Sequence, residues 1–444
     1  MAQLERFGQA LAAFATDVEA TPLPGFYSSA FLNWFGCALA GSRSQTVERA
    51  MAFHLADAPG KLLPPIGRRE GLGASASVLI DCLSSACLAY DDIHFETTLH
   101  PTGPVAAAIL GLSRCRPVSG ADALHALRVG MEVECRVSLA MLGARTGSAR
   151  GWYPTGIAGG IGAAAAVGRL LGFDAARMET AFGLAAARAS GTRGTHGAMS
   201  AYWVPAVAAE SGYVAARLAE VGFTCLPASL TGANGLVRQM APQPDLTAAL
   251  DGLGNHYICE ATACKPYPFG FIAHAVIKCC LDLHARQKAS GDLDRLVLQV
   301  SSTAAMLGNK PQPTSVFDAQ VSLQFIAARV LSDPTLAFEP LPEDITIEQG
   351  VARIASRVEI ERVEGLQDQQ CRCLATYRDG SEYVVTCDVA PGAPGNLPST
   401  AEVEAKFVRL ASSIVGVHAA EQLLGSLREI HEMADISDLL SRSW

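Results

Sequence analysis

The stretch CRCLATYRDGSEYVVTCDVA, Cys371–Ala390, consists of two β-rich runs joined through Asp379–Gly380. An Asp-Gly pair between runs of branched and aromatic residues signals a hairpin, because the turn needs backbone angles that glycine adopts without steric cost. Two weaker alternating runs lie upstream, LDRLVLQVS (293–301) and SRVEIERVE (356–364). Both read as strands. Between them PTSVFDAQVSLQFIAARVL (313–331) is predicted to be one helix introduced by Pro313 and Thr314. This mixed region begins at CKPYPFGF (264–271), where two prolines bracket Tyr267, and is followed by a helix over Ile272–Arg286. It ends at the Pro/Gly stretch APGAPGNLPST (390–400).

On either side the pattern is helical. SGADALHALRVGMEVECRVSLAMLG (119–143) has Ser119 as its N-cap, Asp122 three residues later, and an apolar face through Leu124, Leu127, Met131 and Cys135. FDAARMETAFGLAAARASG (173–191) and VPAVAAESGYVAARLAEVGF (204–223) repeat the theme, each closing near a glycine. After Ala401 the helical pattern resumes and runs to the end of the chain. The expected fold is therefore mostly α: a discontinuous all-α domain (1–264 and 398–444) with a smaller α+β domain (265–397) inserted in it. A length of 444 residues suits two cores better than one. A site between two such domains would draw on residues distant in sequence.

Half the residues are hydrophobic and 17% are charged. The balance of 34 basic and 43 acidic residues gives −9, without the basic footprint that nucleic acid requires. TGIAGGIGAAAAVGRLLGF (155–173) is apolar, but it is Gly/Ala-rich and broken by Arg169, so it reads as a buried helix rather than a membrane span. The first twenty residues lack the regions of a secretion signal, so the expected location is cytoplasmic. The thirteen cysteines, an odd number without a CxxC pair, are expected to be reduced thiols and not a zinc site.

The chemistry gathers in DDIHFETTLHPTG (91–103), which holds Asp91, Asp92, His94, Glu96 and His100. A metal site, an acid/base site and a solvated loop are all compatible with such a stretch. The spacing of His94 and His100 matches no known metal motif. Pro101 and Gly103 place a turn after His100, and VAAAILGL then begins a helix. A helix N-terminus there would favour a neutral imidazole able to act as a base. ASGTRGTHGAMSAYW (189–203) carries glycines at 191, 194 and 197 with Arg193, His196 and Tyr202, and reads as an anion-binding loop or a plain linker. Lys265, Tyr267 and His274 lie where the pattern changes; Lys265 can meet a carboxylate, and a histidine such as His274 on an apolar helix more often belongs to the core. Tyr153 precedes a Pro-initiated helix and can donate a proton or simply pack.

Together these segments resemble the MmgE/PrpD family, whose characterised activities include 2-methylcitrate dehydratase, cis-aconitate decarboxylase and iminodisuccinate epimerase. YDDIHFETTLHPTGPVAAAIL resembles its Asp-Asp…His-Pro-Ser/Thr-Gly segment, and GWYPTGIAGGIGAAAAVGRLLGFD its Gly-aromatic-His-Pro-Thr-Gly helix. AFGLAAARASGTRGTHGAMS, AAESGYVAARLAEVGFT, KPYPFGFIAHAVI and PTSVFDAQVSLQFIAARVL follow in the family's order over most of the chain. The resemblance implies the same two-domain fold with a cleft between the domains, a homodimer, and no cofactor. It also implies removal of a proton beside a carboxylate of a small di- or tricarboxylate. It makes His100 and His274 the acid/base pair with Tyr153 as a further donor. Asp92, His94, Arg193, His196, Tyr202, Lys265 and Tyr267 are then candidate substrate contacts.

Several family positions differ. By the resemblance, Tyr153, Ala201 and Val204 stand where the family has a histidine, a lysine and a histidine, and Ala89, Ile93 and Phe325 where its decarboxylase branch has an aspartate, a threonine and a tyrosine. Removing one charged contact from a desolvated carboxylate costs about 2–5 kcal/mol. The losses therefore argue for a substrate other than 2-methylcitrate or cis-aconitate. The expected activity is a lyase, dehydratase or decarboxylase, with epimerisation as the alternative and a non-catalytic binding protein as the second.

Overall fold

The computed structural model describes residues 2–17, 22–57, 63–142, 151–286, 293–343 and 345–440. The fold is mostly α with a smaller α+β region. Two compact units divide the chain: Met1–Cys87 with Asp91–Thr262 and Thr400–Trp444, and Leu88–Tyr90 with Ala263–Ser399.

The first unit is built on nine longer helices: α1 (Ala2–Asp17), α2 (Gly25–Gly41), α3 (Gln45–Asp57), α4 (Ala74–Ala86), α5 (Thr102–Ser113), α6 (Gly120–Leu142), α7 (Pro154–Leu170), α8 (Ala175–Ala186) and α9 (Ser200–Glu220). The helices Thr400–Val415 and Val417–Arg428 return to it. The Gly/Ala-rich α7 lies at the centre, packed by α5, α6, α8 and α9, and is buried from Pro154 to Gly168. Small residues are a geometric necessity there. A Cβ at Gly162 would come within 2.6 Å of the Gly130 carbonyl, and one at Gly212 within 2.2 Å of the Gly160 carbonyl. No described helix is long and apolar enough to cross a membrane.

Local chemistry starts the helices where it should. The Ser119 Oγ accepts from the Asp122 N–H at 3.1 Å ahead of α6, and Asp174 caps α8 by accepting from the Arg177 N–H. α9 begins at Ser200, four residues before the start expected from the sequence, and carries Pro205 within it. A fully buried ion pair holds α6 to the chain that follows α9. Arg136 Nε donates to Glu132 Oε1 at 2.6 Å, and the same guanidinium donates to the carbonyls of Ala249, Asp251 and His256.

In addition to two three-residue strands, β1 (Asp92–His94) and β2 (Thr262–Cys264), the chain forms β3 (Leu293–Val300), β4 (Val358–Arg362), β5 (Cys371–Tyr377) and β6 (Glu382–Cys387). The sheet of the second unit has the order β4-β3-β5-β6; β3 pairs parallel to β4 and antiparallel to β5. The hairpin read at Asp379–Gly380 is present, with Cys371 opposite Cys387 and Gly380 at φ +80° closing the loop. The helices His274–Ala285 and Leu323–Ser332 pack on this sheet. The single helix expected over 313–331 is instead two, Val316–Ala319 and Leu323–Ser332. Ser315 and Ser322 each cap one of them, and the Gln320 carbonyl between them accepts from the Gly270 N–H. None of the thirteen cysteines is in a disulfide. The last four residues of the C-terminal helical stretch lie outside the described residues.

The returning C-terminal segment meets α6 at a position that admits only glycine. The Gly120 N–H donates to the Met433 carbonyl at 2.9 Å, and a Cβ on Gly120 would lie 1.5 Å from the Ile430 carbonyl oxygen. Gly120→Ala should therefore lower stability by about 1–3 kcal/mol. Gly425→Ala, in a helix with open space around the new methyl, should gain about 0.4–1 kcal/mol. Chemical unfolding of both variants checks the contrast, and equal effects would contradict this docking.

Candidate active site

Three segments of the first unit meet around His100. The first is the arc from β1 to α5. Asp92 is buried, and its Oδ2 accepts from both the N–H and the hydroxyl of Thr102 in the first turn of α5. This clamp closes the chain between them, so His100 sits two residues ahead of the helix. The His100 N–H donates to Thr155 Oγ1 at 3.0 Å. Its ring Nδ1 lies 2.6 Å from the Asp92 carbonyl and 3.0 Å from Asp91 Oδ2. Both neighbours accept only, so Nδ1 carries the proton. Nε2, which has no hydrogen-bond partner among the described residues, is the basic nitrogen of the neutral ring. From the sequence, only the helix terminus stood beside this imidazole; the structure adds the Asp91 carboxylate.

The second and third segments are Gly151–Tyr153 ahead of α7 and the glycine loop ahead of α9. They are zipped together: the Tyr153 N–H donates to the Gly191 carbonyl at 3.2 Å and the Arg193 N–H to the Gly151 carbonyl at 2.7 Å. Gly191, at φ +116°, is required here, since a Cβ on it would lie 2.4 Å from Val204. Pro154 at the first turn of α7 suits a helix start and leaves Tyr153 as its extended N-cap. The Tyr153 ring then stands between two imidazoles, with its centroid 6.2 Å from His100 and 4.9 Å from His196. Arg193 Nη2 donates to Thr98 Oγ1 at 3.1 Å.

The electrostatics follow from burial. Desolvation, with Asp91 next, pushes the Tyr153 phenol above its ordinary range, so it stays protonated. Partial desolvation and the Arg193 charge push His196 down. Burial pushes Asp92 up to about 6 against the opposing Thr102 hydrogen bond, and pushes Glu134 of α6 well up, with Asp92 adding to it. Among the described residues, Asp92 Oδ1 and both Glu134 oxygens are buried without a hydrogen-bond partner.

His100, Tyr153, Arg193 and His196 are thus brought together, and Tyr202 lies in the first turn of α9. Two of the expected substrate contacts have other work. Asp92 is buried and engaged with Thr102. His94 is 1% exposed and engages Thr97 Oγ1 through Nδ1 (2.8 Å) and the Ile258 carbonyl through Nε2 (3.0 Å). Burial pushes it down to about 4, so it is a neutral structural imidazole, and a metal site built on His94 and His100 loses one ligand. In the second unit, Lys265 and Tyr267 are buried and the Tyr267 ring lies 5.2 Å from that of His274. His274 is fully buried and stacks on Phe271. Its nitrogens each face a carbonyl at 3.3 Å, those of Pro391 and Phe269.

Thr98, Thr102 and Glu134 were not singled out from the sequence, and Asp91 was named there only as part of the polar stretch, without a role. Glu134 had a signal, because it continues the apolar face of α6 three residues beyond Met131. Since Asp92 is harder to ionise folded than unfolded, its contribution is fully present below about pH 4 and is lost as pH rises to about 6. Asp92→Asn should therefore look more favourable, relative to the wild type, at pH 7 than at pH 4. Melting temperatures at the two pH values measure this; the same difference at both would refute it.

The MmgE/PrpD N-terminal domain matches residues 9–249 and the MmgE/PrpD C-terminal domain residues 267–429. Cis-aconitate decarboxylase of Aspergillus terreus is 24% identical over 439 residues, covering 92% of this chain and 89% of that protein. The Homo sapiens enzyme of the same name is 24% identical over 365 residues, covering 79% and 75%. A cis-aconitate decarboxylase-like protein of Aspergillus oryzae is 25% identical over 446 residues, covering 92% and 90%. With the two domain matches spanning most of its length, the chain belongs to the MmgE/PrpD family.

Proposed function

We propose that the protein is a lyase acting beside a carboxylate of a small di- or tricarboxylate, without a cofactor, with His100 Nε2 taking or returning the proton. The observation that carries this reading is the anchoring of His100: Nδ1 faces two acceptors, which leaves Nε2 as the basic nitrogen. In a dehydration, Nε2 takes the proton, the C–O bond of the leaving hydroxyl breaks, and an acid completes water. In a decarboxylation, CO₂ leaves its electron pair on carbon, and the protonated ring or the Tyr153 phenol supplies the proton. Tyr153 enters as a candidate donor by position, since its ring lies beside that of His100; burial itself makes the phenol a weaker acid. Arg193 holds the carboxylate, with His196 and Tyr202 beside it on the same segment. Lys265 and Tyr267 remain candidate substrate contacts, whereas His274, with a carbonyl at each ring nitrogen, is given no proton-transfer step here.

The relatives favour decarboxylation, and they give the epimerase alternative no support. Ala201 and Val204, buried and apolar at the start of α9, favour a carboxylate other than cis-aconitate.

Proton exchange in D₂O, followed by NMR over cis-aconitate, citrate, succinate and aspartate, tests the reading. Enzyme-dependent exchange with loss of CO₂ or water is expected for at least one compound or a close analogue. His100→Gln should slow it about 10²–10⁴-fold without a comparable fall in melting temperature. Exchange with inversion alone would replace the lyase reading by the epimerase, and no exchange at all would favour a binding protein.

A further inference from the structure

His94 meets neither the open nitrogen of His100 nor solvent, yet it is tied to both ends of the segment that carries the cluster. Its N–H donates to the Leu99 carbonyl at 2.8 Å, so residues 94–99 form a closed turn immediately before His100. Within that turn Nδ1 meets the Thr97 hydroxyl, and outside it Nε2 meets the Ile258 carbonyl. A carbonyl only accepts, so Nε2 carries the proton and Nδ1 accepts from Thr97. This is the opposite tautomer from His100, and it makes both bonds without any charge.

The anchor is rigid. The N–H groups of Ile258 and Cys259 donate to the two oxygens of Glu132 at 3.2 and 3.0 Å, and Glu132 is held in turn by Arg136. At the exposed end of the turn, Thr98 has φ +55°. A β-branched residue seldom adopts that conformation and persists in it only where its surroundings impose it. Thr98 is also the residue whose hydroxyl accepts from Arg193.

We infer that His94 is a positioning residue: it holds the strained turn that presents Thr98 to Arg193, and so sets the carboxylate clamp beside His100. This rests on the proposed roles of Arg193 and His100. It gives a buried histidine a function that needs neither substrate contact nor metal.

Three substitutions separate the parts. Thr97→Val removes the hydroxyl at Nδ1 and is the mildest; His94→Leu removes both bonds; His94→Gln restores a donor toward Ile258. Amide hydrogen exchange over residues 95–100 should quicken in the first two. With the panel compound that turns over, kcat/KM should fall about 10- to 100-fold in His94→Leu, mainly through KM, and recover in part in His94→Gln. Arg193→Gln should add little on top of His94→Leu, because the clamp is already lost. Unchanged amide exchange, or fully additive effects of His94→Leu and Arg193→Gln, would overturn the inference. A wild type without turnover on any compound would sink the functional reading; faster amide exchange in the variants would then mark His94 as a structural anchor alone, with no positioning role.

Discussion

The carboxylate of Asp92, buried against the first turn of α5, is the constraint on which the site depends. It satisfies the N–H and the hydroxyl of Thr102 at a helix start, where donors lack intrahelical partners. A carboxylate is expensive to bury, and this one is placed near the unpartnered oxygens of Glu134. What the arrangement achieves is geometric. It closes the chain from β1 to α5 into an arc, with the backbone carbonyl of Asp92 against the ring of His100. The same residue thus fixes the arc through its side chain and the imidazole through its main chain.

The remaining parts follow from small residues. Glycines let α7 approach its neighbours at its centre, and Gly191 lets the loop before α9 lie against the loop before α7. That contact brings Arg193 and His196 to Tyr153, which packing alone would not do for an exposed loop. The chemistry proposed above, proton transfer beside a carboxylate, draws on family membership and on this geometry together.

The fold class was legible because its signals are local. Asp379–Gly380 marks its hairpin by turn chemistry, and the alternation in β3 and β4 reflects one buried face. The break at Gln320–Ser322 was not legible, since Ser322 reads as a cap only once the Gly270 contact to the Gln320 carbonyl is known. His100 was singled out because proton-handling residues are rare in an alanine-rich chain. His94 was grouped with it on the same ground and proved to be engaged on both sides of its ring, a distinction that depends on the carbonyl of Ile258, 164 residues away. Composition can show that a histidine is unusual; only its partners show which nitrogen is open.

The most direct test of the account is the tautomer of His100. Protein labelled with ¹⁵N at histidine and assigned through His100→Gln would report the two ring nitrogens by their shifts. In the neutral ring, Nδ1 should appear protonated and Nε2 as the bare nitrogen, with Asp91→Asn weakening that preference. A bare Nδ1 with a protonated Nε2 would contradict the account, because the Asp92 carbonyl would then face a lone pair and the anchoring of His100 would be lost.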